Sequence, residues 1–316
     1  MARAGLSAKV WLALAAVYVV WGSTYLAIAY VIESVPPFLG AGARWLLAGA
    51  ILYAAGARGR DPADRPTSAQ WRNAAIIGTA LCLGGNGLVS LSERRIPTGM
   101  AALLVATVPL FAVAFEFARH RARLARPVIV GLVLGFAGTA LLVGSRGNGR
   151  VDVVGALLVL SASVFWVTGS LFSRDADLPR RPMVAVGMEM LCGGSALLAA
   201  GALGGEFGRF HPGHVSRASL LALGYLIVVG SLVAFQCYAW LLRNVKTPIA
   251  LSYAYVNPLV AVMLGWAIRH ERITATTIAG GTIVVVAVAL IVSAGDPTRG
   301  AAARSQPDLA SQEHPV

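Results

Sequence analysis

The chain has 316 residues, of which 57% are hydrophobic and 13% charged, and its mean hydropathy is +0.71. No soluble class has that balance, so soluble enzymes and regulators are excluded first; at roughly 20 apolar residues per membrane span the length leaves room for about ten spans. The formal net charge of +12 does not point to nucleic acid, because the basic residues lie singly or in short clusters between apolar stretches rather than along one face.

Apolar runs bounded by charge, Pro or Gly predict spans over 10–32, 38–56, 71–92, 99–118, 128–145, 153–173, 183–203, 218–242, 248–268 and 274–294. The expected fold is therefore an all-α integral membrane protein of ten transmembrane helices, since unpaired amides cannot face lipid and the runs lack the alternation of barrel strands. The first run follows Arg3 and Lys9 and continues past Trp21 to Ile32, too long for a cleaved signal peptide. Within the later runs, Arg44, Asn86, Pro109, Trp166, Glu189, Gln236, Tyr253, Asn257 and Pro258 are the residues that an apolar span does not need. Gly131, Gly135 and Gly138 form a small-residue row suited to close helix packing, and Glu116 with Arg119 and His120 reads as a helix-end charge cluster. Cys82, Cys192 and Cys237 are isolated in separate runs, which fits neither a disulfide framework nor a zinc cluster, and no metal or cofactor is expected. Seventeen Lys and Arg side chains fall on the side of the N-terminus and eight on the other, placing both termini in the cytoplasm. Residues 295–316 are polar and read as a disordered tail.

The chain repeats itself. A shift of 149 positions pairs Arg94 with Arg243, Thr98 with Thr247, Pro109 with Pro258 and Gly131 with Gly280; a shift of 145 pairs Trp21 with Trp166, Pro37 with Pro182 and Gly49 with Gly194. The unit is five helices, 1–147 and then 148–294. An odd number of spans forces the second copy to cross the membrane the opposite way, giving inverted repeats with the substrate site expected between them near the midplane.

Trp21-Gly22-Ser23-Thr24-Tyr25, Ala43-Arg44-Trp45, Gly85-Asn86-Gly87, Ala101 to Leu110 and Ser252 to Pro258 resemble the EamA family of the drug/metabolite transporter superfamily, over essentially residues 10 to 294. The resemblance implies an inner-membrane carrier that exports metabolites or drugs, with Thr24 and Tyr25 of the first motif joining the substrate site. One departure is His270-Glu271-Arg272, where the family pattern usually has Gly before the Glu-Arg pair; the turn before the last span is left open by it.

Each candidate has two readings. Pro109 and Pro258 remove a backbone donor in mid-helix, as hinges or as static kinks. Tyr253 and Asn257 share a helix face, and with Asn86 and Gln236 they are expected to turn inward, either to a polar substrate or to interhelical bonds. Trp21 and Trp166 wall an aromatic cavity or simply pack. Arg44 and Glu189 occupy matching positions in the repeat at different depths, too far apart for a direct pair; Arg44 is expected to meet Glu93, and Glu189 to be protonated or to face an inward cavity. No HExxH, GxSxG or Walker A motif is present. The expectation is a secondary transporter exporting a small organic metabolite or drug by alternating access, with proton or exchange coupling both open. A channel and a non-transport receptor or structural protein are the alternatives. The expected partners are the bilayer and a small-molecule substrate, with no nucleic acid.

Overall fold

A computed structural model describes residues 7–58, 65–120, 126–144, 152–245 and 253–293, and among these regular structure is helical, without strands. The helices are α1 (Ala8–Val31), α2 (Pro37–Ala57), α3 (Ser68–Ser92), α4 (Thr98–Val105, resuming as Val108–His120), α5 (Arg126–Gly144), α6 (Val153–Asp175) and α7 (Pro182–Leu203). They continue with α8 (Arg217–Tyr225, Leu226–Val233 and Ala234–Asn244), α9 (Tyr253–Arg269) and α10 (Ala275–Ser293). Seven helices are long and apolar enough to cross a membrane, and Arg126–Leu142, Val256–Arg269 and Ala275–Leu290 are shorter apolar helices. The tail, and the side chains of Glu116, Arg119, His120 and Tyr255, lie outside the described residues.

Helix starts follow local capping chemistry where a polar residue is available. Ser7, Asp152 and Ser216 each accept a backbone N–H of the first turn, and Thr67 with Gln70 forms a capping box. α2 and α4 instead begin after Pro36 and Pro97, which offer no side-chain acceptor. Their unpaired N–H groups are met from far along the chain. Glu206 accepts from Leu39 N at 3.0 Å, while Glu271 accepts from Thr98 N at 2.9 Å and Gly99 N at 3.2 Å. A carboxylate suits the positive end of a helix.

The helices pack as symmetric partners. α2 crosses α7 with a Cβ built on Gly42 meeting the Gly194 carbonyl at 3.2 Å, and the reverse holds at the same distance. A Cβ on Gly49 would lie 3.0 Å from the Gly187 carbonyl, and one on Gly187 2.6 Å from the Tyr53 backbone nitrogen. The shift of 145 exchanges these two contacts. α5 and α10 meet likewise through Gly138 and Gly280, so the small-residue row of α5 packs inside the molecule. Because lipid tails are as apolar as Leu, close backbone approach rather than hydrophobic burial holds such pairs.

The repeat-related prolines differ. α4 breaks at Ala106 and Thr107, where the Thr107 N–H and hydroxyl both donate to the Leu104 carbonyl at 3.1 and 2.6 Å. Pro258 lies within an uninterrupted α9.

Candidate functional site

Both halves contribute to a central cavity of about 410 Å³, lined by residues of α1, α2, α3, α4, α6, α7, α8 and α9. Two of these helices are π-helical over part of the face they turn to it. Thr79–Gly87 of α3 and Leu226–Val233 of α8 are π-helical, at repeat-related positions. The Asn86 amide donates to the Leu81 carbonyl at 3.3 Å and the Ser231 hydroxyl to the Leu226 carbonyl at 3.0 Å, each five residues back. Both pairs correspond at the shift of 145. A π segment widens the backbone and is frequent at functional sites.

The tryptophans use the same symmetry. Trp21 Nε1 donates to the Gly230 carbonyl at 3.3 Å. Trp166 lies on Gly85, where an added Cβ would come within 3.0 Å of the indole. Gly85 and Gly230 are again 145 apart. Trp21 also packs on Tyr238 and Tyr253 with both ring centroids at 5.0 Å, and the two tyrosines are 5.5 Å apart, making one aromatic wall.

The ionisable residues break the symmetry. Arg44 is buried, donates through Nε to Ser231 Oγ at 2.9 Å, and stacks over Trp45 with its guanidinium carbon 4.5 Å from the ring centroid. The expected Arg44 to Glu93 contact is not formed. Ser231 on α8 reaches the guanidinium instead, since the π segment turns its hydroxyl to α2. Glu189 lines the cavity from α7. Among the described residues no ion pair joins it to Arg44.

Trp21, Thr24, Tyr25, Arg44, Asn86, Pro109, Trp166, Glu189, Tyr253, Asn257 and Pro258 all line this cavity. Gln236 does not. It is exposed on α8, where the expectation of an inward amide fails: the neighbouring Phe235 and Tyr238 take the cavity side, and α8 has been rotated by its π segment. Several lining groups also serve the frame. Thr24 Oγ1 donates to the Trp21 carbonyl at 2.6 Å, and the Asn257 amide, in the orientation its neighbours satisfy, donates to the Tyr253 and Tyr18 carbonyls at 3.2 Å.

Sequence reasoning missed Ser231, although it is the repeat mate of Asn86. It also missed Ser163, Ser170 and Ser173, which with Trp166 line the cavity from α6; their spacing of three, four and three is a helical face. The cavity reaches Ser173, two residues from the α6 terminus. The opposite end is tied across helices by Arg269 to Glu33 at 2.6 Å and by the Glu271 and Glu206 bonds. Among the described residues no group of His, Cys, Asp or Glu is placed to hold a metal.

The EamA-like transporter family matches residues 8–144 and again 153–293. The uncharacterized inner membrane transporter YedA of Escherichia coli (strain K12) is 40% identical over 284 residues, 88% of this chain and 89% of that one. A probable amino-acid metabolite efflux pump of Salmonella typhimurium (strain LT2) is 23% identical over 291 residues, covering 85% and 90% of the two chains. A solved crystal structure at 22% identity shares the fold, with a TM-score of 0.61 over 89% of this chain and 96% of that one.

Proposed function

The chain belongs to the EamA-like transporter family, and from that premise we propose that it is a secondary carrier exporting a small organic metabolite or drug by alternating access. It is a multi-pass inner-membrane transporter rather than an enzyme. The observation that carries it is the cavity between the halves, which extends toward one end of the bundle and is tied shut at the other. With both termini cytoplasmic, the open end faces inward, the state in which an exporter loads. The pseudo-symmetric π segments and the broken α4 are the places where the closed end can open, with residues 1–147 and 148–294 acting as inverted repeats.

Arg44, Trp21, Trp166, Asn86, Tyr253 and the other lining residues hold the solute in this reading. Glu189 is the coupling residue, because a carboxyl can take and release a proton from the cavity whereas a guanidinium keeps its charge. The test begins with an untargeted metabolite comparison of cells with and without the protein, followed by counterflow of the accumulated solute in liposomes. Saturable counterflow is expected, and Glu189→Gln should uncouple the rate from an imposed pH gradient. Unsaturable flux without counterflow would make the protein a channel; an unchanged pH response in Glu189→Gln would remove the coupling role.

A further inference from the structure

We propose that the part of the cavity formed by Arg44 and Trp45 is a subsite for the carboxylate of an organic monoanion. The assignment rests on the carrier reading and narrows its solute to one bearing such a group. Both side chains are more than nine-tenths buried, Arg44 with 6% and Trp45 with 8% of its surface exposed. Among the described residues Arg44 donates through Nε, to Ser231, and no carboxylate pairs with it. The Trp45 indole N–H is buried without a hydrogen-bond partner among the described residues. A buried cation lacking a counter-charge beside a buried donor lacking an acceptor is an arrangement that an empty protein holds at a cost.

Arg44 and Trp45 themselves offer only donors. The Ser231 hydroxyl proton goes to the Leu226 carbonyl, while one Asn86 amide proton goes to the Leu81 carbonyl and leaves the second for an incoming acceptor. The two Nη groups and the indole N–H remain as donors, and a planar carboxylate matches the guanidinium edge in a bidentate pair. Arg44 is the single Lys or Arg, and Glu189 the single Asp or Glu, among the cavity-lining residues. One cation balances one negative charge; a phosphate dianion would bring a second charge into a cavity that already holds Glu189. The same carboxyl directs the anionic group of a solute to the Arg44 side. The pocket of about 10 Å³ that Arg44 and Trp45 share with Asn86 and Ser90 has room for about one water, so an organic anion must occupy the large cavity. There the Trp21, Tyr238 and Tyr253 wall takes its apolar body.

The experiment measures thermal stabilisation of the purified full-length protein by matched acids and amides: butyrate against butyramide, and 3-phenylpropionate against 3-phenylpropanamide. The parent should bind at least one acid about tenfold or more tightly than its amide, the margin of a charge-assisted pair. Arg44→Gln should abolish the preference and Arg44→Lys should keep part of it. Trp45→Phe, which leaves the ring under the guanidinium and removes only the N–H, should weaken it several-fold and carries the test if Arg44→Gln fails to fold. Equal binding of acid and amide, no binding of any acid, stabilisation by chloride alone, or a preference unchanged in the variants that fold would overturn the subsite. Binding is read without flux, so the two readings fail separately: acid preference without transport in liposomes sinks the carrier, and saturable transport without acid preference sinks the subsite.

Discussion

Two residues at the tied end of the bundle hold unfavourable states. His270 follows α9 with φ of 54°, the left-handed region where a Cβ is crowded and glycine is not. This is the position at which the family pattern has Gly, so the departure seen in the sequence falls on the one described non-glycine residue with positive φ. His270→Gly is expected to raise stability by about 0.5–1 kcal/mol, seen as a higher unfolding midpoint in detergent; His270→Ala, which keeps the Cβ, should give none of it. Glu93, just past α3, has both carboxyl oxygens buried without a hydrogen-bond partner among the described residues. Burial, with Glu271 beside it, pushes its pKa well above the ordinary 4.5, against the opposing pull of Arg269. A raised folded-state pKa means that the folded protein binds the proton more tightly. The resulting stability is complete below the unfolded value and is lost as pH rises toward the folded one. Glu93→Met should therefore flatten the decline in stability as pH rises above the ordinary carboxylate range, and a parent midpoint that does not fall on that side would contradict this.

At the scale of the element, sequence-equivalent prolines act differently. Pro109 stands beyond a real interruption of α4, whereas α9 runs through Pro258 unbroken. The difference arises before the prolines. Thr107 turns its N–H and hydroxyl onto Leu104 and so stabilises the break, while the residue at the same repeat position in α9 is Val256, which has no such group. Pro109→Ala restores a backbone donor but leaves Thr107 in place. It is expected to lower turnover by about tenfold at normal membrane abundance, since about 1.4 kcal/mol of bias toward one conformation suffices for that. Pro258→Ala should change turnover less than threefold. Equal effects of the two substitutions would mean that the break in α4 is not a hinge.

At the scale of the molecule, orientation decides which way the cavity opens. The proposed topology, argued from the basic residues, has the N-terminus and the tail on the cytoplasmic side, so reporter fusions after Arg126 and after Arg304 should both signal from the cytoplasm. An inside signal after Arg126 with an outside signal after Arg304 would remove the ten-span topology, and with it the inward-facing assignment. The ties at the far end join α1 to α9, α2 to the segment after α7, and α4 to the segment after α9. Each crosses between residues more than 160 apart, so the closed end is held by contacts between the two halves.

Composition alone determined that the chain lives in a membrane, because no soluble fold can cover that much apolar surface, and the duplicated pattern of Trp21, Pro109 and their mates marked the duplication that the family match repeats over 8–144 and 153–293. Eleven of the twelve proposed site residues line one cavity for the same reason: polar and bulky aromatic groups inside apolar spans have few places to go except the interior. Gln236 shows the limit of that logic. Which face of α8 turns inward depends on an inserted π turn, and a π turn adds no residue type of its own to the sequence. The partner of Arg44 was likewise decided by tertiary structure, since Ser231 meets it from the π segment of α8, far along the chain. Glu206 and Glu271, which fall between predicted spans, cap distant helices, because a proline at the N-cap leaves N–H groups that only a remote acceptor can satisfy.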